Sequence, residues 1–144
     1  MLIKDGTYKI TDFGFSIFYE GVKLDKMRQG TCEYMPLEKL SLPSYFANTK
    51  SDVFSLGVIF YKIMTGRHPY LLRRIIDYRD YITQVRLNQL NVPPYFRSKI
   101  SIPMQQLFDL VVKMVAKEEK DRIDFDDIYQ FIEEQETFLK FKEN

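Results

Sequence analysis

Between Lys50 and Thr65 the sequence leaves almost no polar face: Val53, Phe54, Leu56, Val58, Ile59, Phe60, Ile63 and Met64 are distributed around the helical circumference. A helix that is apolar nearly all round is normally enclosed by the rest of its domain. This segment is therefore expected to be the buried centre around which the chain packs. Its ends carry boundary signals. Thr49 followed three residues later by Asp52 has the spacing of a capping box, with Asp in place of the usual Glu. Gly66 can take the left-handed conformation that closes a helix, and Pro69 prevents it from resuming. The longest uninterrupted apolar stretch, Leu56 to Tyr61, stops at Lys62, far short of the ~20 residues a membrane helix needs.

Around this centre the chain reads as one unit of 144 residues with no internal repeat. Leu2-Ile3 and Tyr8-Lys9-Ile10 are β-prone runs joined through Asp5-Gly6, the pattern of a β-hairpin. Residues 13–48 show neither helical nor strand periodicity, and so long an irregular segment in a compact domain is more often functional than accidental. Three further helices are expected. One lies within 72–90 and uses Ile75, Ile76, Ile82, Val85 and Leu90. A second runs from Pro103 to Ala116 with Met104, Leu107, Leu110, Val111 and Met114 on one stripe. The last starts after Asp124 as N-cap and turns Phe125, Ile128, Ile132 and Phe138 inward. The class is mostly α, opened by a small hairpin.

Charge is unevenly spread. Residues 67–100 carry seven Lys/Arg against two Asp/Glu, whereas residues 101–144 carry six against eleven. The basic third could attract nucleic acid or an acidic partner. A solvated surface facing the acidic C-terminal third is the favoured reading, since no nucleic-acid motif accompanies the charge. A lone cysteine, Cys32, excludes an intramolecular disulfide and a Cys-rich zinc site, and no signal peptide opens the sequence. The expected setting is intracellular and cytoplasmic, without membrane or nucleic-acid partners.

A series of short motifs follows in order. Thr11-Asp12-Phe13-Gly14 ends the second β-prone run. Gly30-Thr31-Cys32-Glu33-Tyr34-Met35-Pro36-Leu37-Glu38 comes next, then Ser51-Asp52-Val53-Phe54-Ser55-Leu56-Gly57, Thr65-Gly66-Arg67-His68-Pro69-Tyr70 and Lys120-Asp121-Arg122-Ile123. A lone Asp-Phe-Gly is common by chance, but the ordered set resembles the C-terminal lobe of a eukaryotic protein kinase of the serine/threonine type.

The resemblance implies a kinase-like helical lobe with residues 1–11 as hairpin, 12–38 as activation segment and 39–144 as the helical part. Asp12 is similar to the aspartate that holds the Mg²⁺ bridging ATP phosphates, so ATP and Mg²⁺ are the implied cofactors. Phe13 would be an apolar peg, and Gly14 would let the backbone turn. Thr31 resembles the threonine of the substrate platform. Glu38 and Arg122 match a buried ion pair, which assigns them to the scaffold. Asp52 resembles the buried aspartate that steadies the catalytic loop, with Ile59 and Ile63 as apolar anchors. A general-base role for His68 and a nucleophile role for Cys32 are not expected.

The sequence also departs from the pattern. Pro36-Leu37 stands where Ala-Pro is usual, and Met27 occupies a position that many kinases phosphorylate, leaving Ser16, Tyr19 and Thr31 as weak alternatives. No Gly-rich loop, strand Lys or His-Arg-Asp loop occurs, and Met1-Leu2 corresponds to the two residues after the metal-binding Asn of the family. The expectation is a piece of a kinase that acts on protein or peptide substrates and is inactive by itself. An alternative is a non-catalytic helical module, with a partner covering the surface that would face the N-terminal lobe.

Overall fold

The computed structural model describes residues 2–14, 16–17, 23–25, 30–41, 44–46 and 48–143, of which 2–4, 23–25, 44–46 and 136–143 are described by backbone alone. Strands β1 (Leu2–Lys4) and β2 (Thr7–Lys9) pair antiparallel with Leu2 opposite Lys9. Between them Asp5 and Gly6 both take positive φ, 52° and 75°. A second antiparallel pair joins β3 (Lys23–Asp25) to β4 (Ser44–Phe46), with helix α1 (Leu37–Ser41) between them in sequence. These elements lie in the 13–48 stretch where no periodicity is visible. Three-residue strands are too short to display one. Helices α2 (Lys50–Thr65), α3 (Tyr78–Leu87), α4 (Ile102–Met114) and α5 (Phe125–Glu143) complete the order. No helix among the described residues is long and apolar enough to cross a membrane.

The α2–α4 contact organises the core. Gly57 makes it possible: a Cβ built there would lie 2.7 Å from Met114 Cβ and 2.9 Å from Val115 Cγ1. Around that approach Val53, Phe54, Val58 and Tyr61 of α2 meet Phe108, Val111 and Met114 of α4, all buried. The Tyr61 and Phe108 rings sit 5.5 Å apart. The Val, Phe and Met side chains among them each contribute roughly 1.5–3 kcal/mol by leaving water. The inward stripe of α4 is thus set by Phe108, Val111 and Met114, while Met104 and Leu107 of the expected stripe are exposed. A stripe read from sequence carries no information on which edge meets a neighbour.

Helix α2 is not enclosed as its composition suggests. Asp52, Phe60 and Ile63 are exposed and Leu56 and Ile59 only half-buried, so one side of the helix stays open among the described residues. Ile63, expected as a core anchor, is 70% exposed. Its start also differs. Thr49 has α-helical φ and ψ, and its carbonyl, not its hydroxyl, meets the amides of Asp52 and Val53 at 3.0 Å. A side-chain cap needs extended backbone at that residue. Gly66 does end the helix, at φ 70° with its N–H on the Lys62 carbonyl.

Helix α3 is shorter than the 72–90 window. Asp77 starts it by accepting the Arg79 and Asp80 amides, leaving Ile76 outside and 80% exposed. Helix α5 starts with a reciprocal pair: Asp124 Oδ1 accepts from the Asp127 amide, and Asp127 Oδ2 accepts from the Asp124 amide. Ile128 is buried and Ile132 is half-exposed, while the Phe138 side chain lies outside the described residues.

Candidate functional site

Glu38 and Arg122 are 84 positions apart and meet in a largely buried ion pair. Arg122 Nη1 donates to Glu38 Oε1 at 2.6 Å and Nη2 to Oε2 at 3.2 Å, a two-pronged pair. The remaining donors reach the carbonyls of Ala116 (3.1 Å), Lys50 (3.0 Å) and Lys117 (3.4 Å). All five guanidinium N–H groups are thereby used, which is what a charge with no solvent exposure requires. Phe54 lies 5.0 Å beneath the guanidinium carbon, adding a cation–π contact. Lys50 completes the arrangement by donating to the Arg122 carbonyl at 2.6 Å.

The turn after Thr31 is equally well fastened. Gly30, at φ 114°, passes so close to Met35 that a Cβ would lie 2.8 Å from the Met35 Cε. Cys32–Tyr34 then form a 3₁₀ turn, with the Tyr34 amide on the Thr31 carbonyl and the Met35 amide on that of Cys32. The carbonyls that point away are taken by side chains distant in sequence. Ser55 Oγ donates to the Tyr34 carbonyl at 2.8 Å, and the Tyr81 hydroxyl to that of Met35 at 3.1 Å. His68 Nε2 sits 2.8 Å from the Glu33 carbonyl, and Nδ1 is 3.1 Å from both the amide and the carbonyl of Tyr70. Burial holds the His68 pKa below its ordinary value, against the opposing hydrogen bonds of the Glu33 and Tyr70 backbone. Lys62 Nζ donates to the Tyr34 hydroxyl at 2.8 Å. Thr31 itself is exposed and caps nothing with its side chain.

Asp12 stands apart from this. Its carboxylate is exposed and its backbone has φ 66°, a left-handed conformation that Asp tolerates better than most residues. The left-handed residue of this turn is thus Asp12 and not Gly14, which lies 3.4 Å (as a built Cβ) from Asp12 Oδ1. Phe13 is 67% exposed and its carbonyl accepts from the Ser16 amide at 3.0 Å. No hydrogen bond or ion pair among the described residues joins Asp12 to Thr31, Glu38, Asp52 or Arg122. Asp52, expected to be buried, is solvent-accessible. Protein atoms crowd it on one side and raise its carboxyl pKa, opposed by the Lys39 charge. The loop expected to cover it is not among these residues. Met27 and Tyr19 lie outside the described residues.

Burial first, and then the Glu33 charge, push the Cys32 thiol up, which disfavours the thiolate a nucleophile needs. Sequence reading missed Ser55, Lys62, His68 and Tyr81 as partners of the Thr31–Met35 turn. They lie 21 to 48 positions from the residues they hold, so no local pattern could mark them. Lys62, a charge interrupting an apolar run, was the one visible hint.

The protein kinase domain family matches residues 1–131. Over 125 residues the chain is 26% identical to the serine/threonine-protein kinase unc-51 of Caenorhabditis elegans, covering 87% of this chain and 14% of that protein. It is 30% identical over 121 residues to the human serine/threonine-protein kinase ULK1, covering 84% and 11%. With the CBL-interacting serine/threonine-protein kinase 24 of Arabidopsis thaliana it shares 28% over 110 residues, 76% and 24% of the two. The chain therefore spans between 11% and 24% of the length of these relatives.

Proposed function

Because the chain belongs to the protein kinase domain family, we propose that it supplies the peptide platform and one metal-binding carboxylate of a serine/threonine kinase. Such an enzyme transfers a phosphoryl group from Mg-ATP to a protein Ser or Thr. In this reading residues 12–38 are the activation segment and 39–144 the helical lobe. The observation that carries it is the fastening of the Thr31–Met35 turn by Ser55, His68 and Tyr81, directly before Glu38 in its pair with Arg122. That arrangement gives an exposed Thr31 a fixed backbone behind it, which a substrate platform requires.

Asp12 is the carboxylate assigned to Mg²⁺. An exposed carboxylate fits, because Mg²⁺ keeps several waters and binds through one or two carboxylates together with phosphate oxygens. Among the described residues no group of three metal-ligating side chains converges, so the reading invokes no all-protein cage. When bound, the ion would offset charge on the phosphates. Positioning and charge stabilisation provide most of phosphoryl-transfer catalysis. These 144 residues hold no Gly-rich loop, strand Lys or catalytic Asp, so by themselves they are expected to be inactive.

Purified chain mixed with Mg-ATP and Ser/Thr peptides should give no transfer above background. Turnover that disappears in Asp12→Asn would overturn the inactivity while strengthening the role of Asp12. The second reading, a non-catalytic helical module that binds protein partners, draws support from the exposed Phe60 and Ile63 on α2. A stable partner that co-purifies and protects Ile63 from solvent would favour it.

A further inference from the structure

We propose that α3 and the strap preceding it form a docking surface for an acidic peptide segment bearing apolar side chains. The strap, residues 71–76, runs antiparallel beside α3 and is tied to it at three points. Asn88 Nδ2 donates to the Leu71 carbonyl, the Arg73 amide to Gln84 Oε1 at 2.6 Å and the Ile76 amide to Asp80 Oδ2 at 3.3 Å. Positions 80, 84 and 88 recur every four residues, so the strap follows one stripe of the helix. Arg73 and Arg74 stand on the strap. Arg79 and Arg86, two turns apart, share the face of α3 opposite Tyr81 and Val85, and all four arginines are exposed.

No ion pair joins them to the nearby acids among the described residues. Asp77 accepts the Arg79 and Asp80 amides, and Asp80 accepts the Ile76 amide. Arg86 lines a shallow hollow with Glu118 and Glu119, yet the ion pairs of the described residues are Arg97–Asp109 and Arg122–Glu38. The basic third thus meets the acidic C-terminal third at Arg97–Asp109, whereas Arg73, Arg74, Arg79 and Arg86 take no ion pair among the described residues.

Three large apolar side chains border these arginines: Leu71 at 50% exposure, Ile76 at 80% and Leu87 at 78%. Arginine offers a fork to carboxylates, and the exposed leucines and isoleucine offer surface to an apolar side chain. A nucleic acid would use the charges and leave Ile76 and Leu87 against water, so a peptide fits better. Helix α3 packs against the platform through its opposite face, where Tyr81 holds the Met35 carbonyl. The inference deepens the platform reading by naming a substrate or partner class, while its binding test does not depend on Thr31.

The test is fluorescence anisotropy of the whole chain with a labelled peptide of alternating Glu and Leu. Alternating Lys-Leu and Glu-Ser peptides, oligothymidylate and phosphatidylserine vesicles serve as rivals. The Glu-Leu peptide should bind best and weaken as salt rises. Arg79→Glu combined with Arg86→Glu should weaken it at least about tenfold, with the far-UV circular dichroism unchanged. Thr31→Ala should leave it unchanged. Equal binding by the double variant would overturn the proposal, as would tighter binding of oligothymidylate or vesicles. Loss in Thr31→Ala with the arginine variant silent would place the peptide on the platform and also overturn it.

Discussion

The surroundings of Arg122 and of Asp12 solve the problem of a buried or strained group in opposite ways. Arg122 is a full charge removed from water, and every donor it carries has an acceptor from α1, α2 or the 116–117 turn. Asp12 sits in a left-handed turn, and Tyr8, Ile10 and Phe13 around it are between 67% and 78% exposed. The first region is completed by the described residues alone. The second displays apolar groups with no cover among them. The Glu38–Arg122 scaffold is thus complete among the described residues, while the Asp12 turn displays its carboxylate and its apolar neighbours to solvent.

The largest effect is expected at Arg122. Arg122→Ala strands the Glu38 carboxylate and three carbonyls, and breaking a buried pair costs about 3–5 kcal/mol. A urea titration followed by circular dichroism should show that loss, or no cooperative transition at all. A cost near zero would mean that the two regions do not differ as described.

An intermediate effect is expected at His68, which ties the 3₁₀ turn to the scaffold. Its pKa in the folded chain lies below the ordinary 6.5, chiefly through burial. The neutral ring is thus the form the fold prefers, and stability from it is present above the unfolded pKa and lost as pH falls through the folded one. Between about pH 7.5 and 5, the urea midpoint of the native chain should fall more than that of His68→Gln, whose side chain does not titrate. Parallel slopes for the two would remove His68 from the turn's support.

The smallest effect is expected at Phe13. Phe13→Ser should change stability by less than about 0.5 kcal/mol, as exposed sites usually do. A cost approaching that of Arg122→Ala would erase the contrast, and would show Phe13 covered in solution.

Much of the helical frame was legible in the residues. The bounds of α2 could be read from its apolar composition and from Gly66, whose left-handed backbone has a local chemical cause. The Asp124 start of α5 was legible for the same reason, since its cap lies within three residues. Thr49 misled because capping depends on the backbone angles of the residue, which its identity does not set. Met104 and Leu107 misled because a stripe shows that a face is apolar without showing what it meets. The site was legible only in part. The Glu38–Arg122 pair could be picked from motifs, whereas Ser55, Lys62, His68 and Tyr81 could not be read as partners of the turn.

Alone, the sequence determined the family, the order of helices α2 to α5 and the chemistry available at each motif, because these rest on residue identity and short spacing. Tertiary structure decided which of those groups meet. It closed Arg122 onto Glu38 across 84 positions, brought His68 and Tyr81 beneath the Thr31–Met35 turn, and left one face of α2 open. It also laid four exposed arginines along α3 and its strap, none of them in an ion pair among the described residues. Such pairings depend on where distant segments come together in space, and hydrophobic burial and hydrogen-bond geometry settle that for the chain as a whole.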